Sequence, residues 1–176
     1  MSQDRTRRGG DQELAAGAAR VSATLSIRAT PDAVCAALAD PAWLGPSVDA
    51  PPERPEHRRI ETDLAFALPA ERRTLTFRKA AFVDIGPVRR DGRTCSAEIG
   101  WRASTLAPLF PVFGGRVEAR AGVLRLEGVY APPGGGIGLL VDRALLHFVA
   151  QRTAIWFLER LAAQVDAASS SDRRDG

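Results

Sequence analysis

Hydrophobic and polar residues alternate with a period of two through much of the chain, which is typical of strands that bury one face. The first such segment has apolar residues at four alternate positions: Val21, Ala23, Leu25 and Ile27. The same alternation recurs near residues 60–68, 75–85, 95–101, 117–121 and 124–130. Glycines and prolines separate these segments, and Asp91-Gly92 is a hairpin signal. The pattern predicts a meander of antiparallel strands, with a loop containing Pro108 and Pro111 before Val117.

Two helix-start signals follow the first strand. The segment Thr30–Asp32 combines an N-cap residue, a proline at the first helical position and an acid in the first turn. Asp40-Pro41 repeats the same start. The sequence therefore predicts two short helices, one over about Pro31–Leu38 and one around Trp43.

The period changes from 2 to 3.6 after the glycines at 134–136. Apolar residues then form a wide helical stripe: Ile137, Leu140, Val141, Ala144, Leu145, Phe148, Ile155, Leu158, Leu161, Ala162 and Val165. Four polar residues mark the opposite side: Arg143, His147, Arg160 and Gln164. This pattern predicts a C-terminal helix about 42 Å long.

Strands followed by one long helix favour an α+β fold in which the helix covers one face of the sheet. We expect a curved antiparallel sheet of about six or seven strands wrapped around the C-terminal helix, with two short helices after the first strand. This domain would span residues 19–166. The flanking segments 1–18 and 167–176 are polar and without period, so we expect disordered tails.

Composition and charge exclude several classes of protein. The 176 residues are 45% hydrophobic and 26% charged, the ordinary composition of a globular domain. No apolar run is long enough for a transmembrane helix, so we expect no integral membrane segment. The net charge is only +3, and the arginine pairs fall mostly in turns and tails beside acidic residues. Because no basic face with stacking aromatics emerges, nucleic acid is not an expected partner.

The cysteines and histidines suggest neither a bridge nor a metal site. Cys35 and Cys95 are far apart in the chain, and we expect free thiols in a reducing cytoplasm, where each packs as a small apolar residue. His57 and His147 share no close pairing with them, whereas structural zinc takes its ligands in close pairs. No metal, cofactor or catalytic residue is assigned.

The order of elements and a set of short motifs resemble the START-like, or SRPBCC, superfamily and its helix-grip fold. The motifs that carry the resemblance are Ala29–Val34, Asp40-Pro41, Phe77–Pro87, Trp101–Ala103, Phe110–Gly115, Leu126–Pro133 and Asp142. The superfamily includes lipid carriers and polyketide aromatase/cyclases. The resemblance implies a cavity between the curved sheet and the C-terminal helix that holds a hydrophobic small molecule.

Six residues are candidates for lining such a cavity: Phe77, Lys79, Trp101, Tyr130, Phe148 and Arg152. Lys79 is the only lysine, and alternation places it on the apolar face of its strand. There it could pair with a ligand carboxylate or phenolate, or with a buried acid; alternatively, a bulge or a snorkelling stem takes it to solvent. The aromatic residues fit core packing as well as pocket lining.

Three functions remain open at this stage. The first is a binding protein that holds a hydrophobic or aromatic metabolite, lipid-like or polyketide-like, without changing it. The second is an aromatase/cyclase-type enzyme that uses cavity shape and acid/base side chains, for which the sequence offers Lys79, Tyr130 and Arg152. The third is a protein-interaction module with a filled core. Protein partners are left open by the sequence.

Overall fold

The computed structural model describes residues 19–52, 54–70, 73–104, 112–131 and 143–172. The elements in chain order are β1 (Ala19–Ser26), α1 (Pro31–Ala39), a 3₁₀ turn (Pro41–Trp43), β2 (Arg58–Ala70), β3 (Arg73–Ile85), β4 (Arg89–Asp91), β5 (Thr94–Ala103), β6 (Val112–Arg120), β7 (Val123–Ala131) and α2 (Arg143–Asp172). The predicted α+β architecture is confirmed: the first predicted short helix is α1, and the second is a single 3₁₀ turn.

The seven strands form one antiparallel sheet in the order β1-β7-β6-β5-β3-β2, with β4 paired to β5. The first strand thus joins the last, so the sheet is not a simple meander. β6 begins at Val112, five residues before the predicted start at Val117. The two prolines and two glycines of 108–115 suggested a loop there, but the pairing of Val112 with Ala131 extends the strand.

Both predicted N-caps are present. The Thr30 hydroxyl accepts a hydrogen bond from the Ala33 amide at 3.3 Å, and the Asp40 carboxylate accepts one from Ala42 at 3.4 Å. These bonds satisfy amide groups that the first turn of a helix leaves without partners. The local sequence therefore determines where α1 and the 3₁₀ turn begin.

Helix α2 packs on the inward face of the sheet, the face that carries the core. Its buried residues are Val149, Ala150, Thr153, Ala154, Phe157, Leu158, Leu161 and Val165. The predicted stripe is therefore slightly rotated: it omitted Phe157, which is fully buried, and included Phe148 and Ile155, which are half-buried. Gln151 also donates to the Ser22 carbonyl at 2.9 Å, which holds α2 against the edge strand β1.

The C-terminal helix continues through residues 167–172, although their polar sequence predicts a disordered tail. The hydroxyl groups of Ser169 and Ser170 donate to the carbonyls of Val165 and Asp166, four residues earlier. Such bonds let serine occupy a helix at little cost. The predicted helix start, at 137–142, lies outside the described residues. Across the described ranges, no helix combines the length and apolarity needed to cross a membrane.

The two cysteines form a disulfide, which corrects the expectation of free thiols. Cys35 on α1 and Cys95 on β5 have Cα atoms 5.7 Å apart, within the range that a disulfide spans. A separation of 60 residues gave no indication of this contact, because it arises only when α1 packs on the inward face of the sheet. The expectation of a reducing cytoplasm rested on free thiols, and the disulfide removes that support.

Two paired glycines on the inward face are required by packing. A Cβ atom added to Gly115 or Gly128 would lie 2.6 Å from Cζ of the Phe113 ring. Gly114, in contrast, has open space where its Cβ would be. The glycines at 115 and 128 therefore allow the Phe113 ring to lie flat on the sheet.

We expect Gly128→Ala to lower the free energy of unfolding by about 1 to 3 kcal/mol, because the ring and neighbouring backbone must move. Gly114→Ala is the matched control, and we expect it to raise stability by up to about 1 kcal/mol through a less flexible unfolded chain. Urea unfolding of both variants measures the difference. Equal stability of the two would contradict the packing described here.

Candidate functional site

An aromatic row crosses the inward face of the sheet near one end. Trp101 on β5 pairs with Phe113 on β6, and Phe113 pairs with Tyr130 on β7. All three side chains are buried. The Trp101 and Phe113 rings stack with centroids 3.9 Å apart and planes at 16°, and the Phe157 ring of α2 lies 6.2 Å from Trp101. The row is therefore part of the core, on the face of the sheet that α2 covers.

Two of the sequence-predicted site residues, Trp101 and Tyr130, belong to this row. Phe113 was missed as a site residue, because its segment was expected to be a loop. The glycines at 115 and 128 were a usable signal, since two glycines inside strands often mark a close approach by a ring or a backbone.

Lys79 lies on the same face of the sheet, near the end that carries the aromatic row. It pairs with Leu64 across β2 and β3, and Leu64 is fully buried. Directly paired residues point to the same side of a sheet, so Lys79 is an inward-face position. It is half-buried, and it lies two residues before Ala81, which pairs with Ala103. Phe77 pairs with Phe66, and its side chain lies outside the described residues.

The two candidates on α2 lie near the surface. Phe148 is half-buried, and the exposed Arg152 places its guanidinium carbon 5.2 Å from the centre of the Phe148 ring. His147, also exposed, has its ring 6.0 Å from that of Tyr130. The structure therefore brings Trp101 and Tyr130 together and leaves Arg152 on the solvent side of the helix.

The indole nitrogen of Trp101 is an unusual feature of the row. Trp101 is only 2% exposed, and its Nε1 has no hydrogen-bond partner. Trp43 shows the ordinary arrangement, because its Nε1 donates to the Ala37 carbonyl at 2.8 Å. A buried N–H without an acceptor costs about 1 to 3 kcal/mol. Native structures contain few such groups, and each calls for an explanation.

The fold is that of a helix-grip-like α+β domain, in which a long C-terminal helix packs on an antiparallel sheet. No protein-family model matches the sequence, and no curated protein does. Among solved structures, the chain is similar to the crystal structure of DynU16, described as a putative protein in the dynemicin biosynthetic locus. The identity is 23% and the TM-score 0.44, over 85% of this chain and 48% of DynU16. The chain thus spans about half the length of that protein.

Proposed function

We propose that the protein binds a hydrophobic or aromatic small molecule, lipid-like or polyketide-like, between the sheet and α2, without covalent chemistry. The observation that carries the proposal is the buried, unpartnered Nε1 of Trp101 in the aromatic row. The resemblance to the START-like superfamily implies a ligand cavity on the same side of the sheet, which supports the proposal.

The row offers a ligand two kinds of contact. The stacked rings of Trp101 and Phe113 present an apolar surface suited to a flat or aliphatic body. The indole N–H can donate to one carbonyl, ether or phenolic oxygen on that body. Binding would then remove the penalty of the unpaired N–H as well as burying apolar surface. A hydrophobic molecule with one acceptor oxygen fits these contacts best.

Lys79 and Tyr130 supply polar groups at the same end of the inward face. We propose that Lys79 faces an acidic group of the ligand at the rim of the cavity, with the Tyr130 hydroxyl near its mouth. The cyclase alternative needs several polar side chains that converge on the substrate. The sequence offered three such side chains, Lys79, Tyr130 and Arg152, but Arg152 is exposed on α2. This favours binding of a ligand over its chemical conversion.

The test compares two tryptophan-to-phenylalanine variants that each remove one indole N–H. Nile red, a neutral dye with a carbonyl acceptor, is titrated by fluorescence. We expect Trp101→Phe to weaken its binding about tenfold, because the ring remains while the donor is lost. Trp43→Phe is the matched control: it loses a satisfied hydrogen bond and some stability, with unchanged dye affinity.

Native mass spectrometry of the freshly purified protein complements the titration. An extra mass that leaves on denaturation would identify a bound compound, and incubation of that compound with the protein would show whether it is consumed. Consumption would support the cyclase alternative. A clean protein mass together with no saturable dye binding would overturn the proposal.

A further inference from the structure

A depression of about 450 Å³ lies on the outer face of the sheet, opposite the aromatic row. We call it the outer depression. It extends from β3 across β5 and β6 to β7, and the loop before β2 closes one side of it. On this face it is lined by Arg54, His57, Asp84, Glu98, Gly100, Arg102, Val112, Gly114, Arg116 and Val129. Its lining also includes Ile99, Trp101, Phe113 and Gly115, which alternate with these residues along β5 and β6 and belong to the inward face.

Two glycines form the floor of the outer depression. Gly100 on β5 pairs directly with Gly114 on β6, so the centre of the sheet has no side chain on this face. The walls are the paired residues Glu98 and Arg116 on one side of this floor and Arg102 and Val112 on the other. The floor is therefore flat, and it suits a planar group.

The charges around this floor favour an anion. Its lining includes three arginines, Arg54, Arg102 and Arg116, against the carboxylates of Asp84 and Glu98. Asp84 is bound by Arg59, and Glu98 pairs with Arg54. Arg116 donates to the Ser96 hydroxyl through one nitrogen, and a guanidinium has further N–H groups for a ligand.

His57 gives the outer depression a polar group that the protein itself does not satisfy. Its side chain is only 9% exposed, and its Nε2 has no hydrogen-bond partner. The nearest charged atom is Oε2 of Glu98, at 3.6 Å, beyond hydrogen-bonding distance. The imidazole also packs against Gly86, which fixes it at the wall. A ligand atom in the depression would give this nitrogen a partner.

The other side of the outer depression is apolar. Among the described residues, the exposed large hydrophobic side chains are Val112 and Val129, at 36% and 49%. Both line the depression, although they come from different strands. Clustering of exposed apolar residues beside charged ones is typical of a binding site for a molecule with an apolar body.

We propose that the outer depression binds a small organic carboxylate with a flat apolar body. The body lies on the Gly100–Gly114 floor against the two valines, and the carboxylate accepts hydrogen bonds from Arg116 and its neighbours. This site is separate from the proposed inward site, because it lies on the other face of the sheet. Either site can fail without the other.

The probe is 2-naphthoate, titrated into ¹⁵N-labelled protein and followed by NMR. We expect saturable shifts at the amides of Gly100 and Gly114, with a dissociation constant below about 1 mM. The neutral analogue 2-naphthamide has the same rings without the charge, and we expect it to bind at least about tenfold more weakly. Shifts confined to inward residues that do not line the depression, such as Phe157, would overturn the proposal.

Gly114→Val is the decisive variant, because its Cβ position is open and valine suits a strand. We expect it to fold normally, to fill the floor and to weaken naphthoate binding at least about twentyfold. Arg116→Gln should weaken it about tenfold. Arg120→Gln, which changes an exposed arginine outside the depression on the same strand, should have no effect. Unchanged binding by a folded Gly114→Val protein would exclude the site.

Discussion

Removing the Cys35–Cys95 disulfide is expected to lower the free energy of unfolding by about 4 kcal/mol, the value that chain entropy gives for a closed loop of this length. The bridge closes a loop of 60 residues that contains β2, β3 and β4. Without it, the unfolded chain gains conformational freedom that folding must then remove. Since small domains are stable by only about 5 to 15 kcal/mol, this loss is a large fraction of the total.

Guanidinium unfolding with and without a reductant measures this effect. We expect reduction to shift the midpoint of the parent protein to a much lower denaturant concentration. Cys35→Ala/Cys95→Ala should unfold at that lower midpoint under both conditions, which separates the disulfide from other effects of the reductant. Labelling of both cysteines by iodoacetamide in the unreduced, denatured protein would contradict the bridge itself.

Arg59→Met is expected to cost about 3 to 5 kcal/mol of unfolding free energy, because it leaves the buried carboxylate of Asp84 without its counter-charge. The two side chains are 2% and 9% exposed, and they form a two-bond pair at 2.7 and 2.6 Å. Arg59 also donates to the Pro51 carbonyl and lies 5.2 Å from the centre of the Phe82 ring. The pair thus fixes the loop before β2 to the outer face of β3.

The double variant Arg59→Met/Asp84→Leu is the control. Replacing both charges with apolar groups leaves no unpaired buried ion, so we expect it to be more stable than Arg59→Met alone. Urea unfolding of the parent, both single variants and the double variant completes the cycle. Additive losses would show that the two side chains act independently, against the geometry described here.

Periodicity predicted the strands and the long helix well, because burial of one face imposes a period of two or of 3.6 on the sequence. The same reasoning placed Trp101 and Tyr130 on the inward face, where the structure has them. It did not determine which side of the C-terminal helix faces the sheet. The apolar stripe is wide there, and Phe157 and Trp156 are adjacent aromatic residues. Only packing against the sheet buries one fully and leaves the other half-buried.

Two features that sequence reasoning missed depend on which elements become neighbours in the fold. The disulfide needs α1 and β5 in contact, and the outer depression needs Gly100 opposite Gly114. Nothing local specifies either pairing. One signal was present: both glycines occupy outward positions of their strands, where a missing side chain opens the surface instead of the core.

The pairing of β1 with β7 has a consequence for how the chain is made. The residues that pair at the end of the first strand, Ser26 and Val123, are separated by about 100 residues, which a ribosome adds in roughly 5 to 20 s. Until then β1 has no partner strand, and its alternate apolar residues, Val21, Ala23 and Leu25, lack the core in which they are packed. During translation the adjoining strands β5 and β6 can pair earlier, since both precede β7 in the chain. Among the described strands, β1 is synthesised first and is nevertheless among the last that can join the sheet.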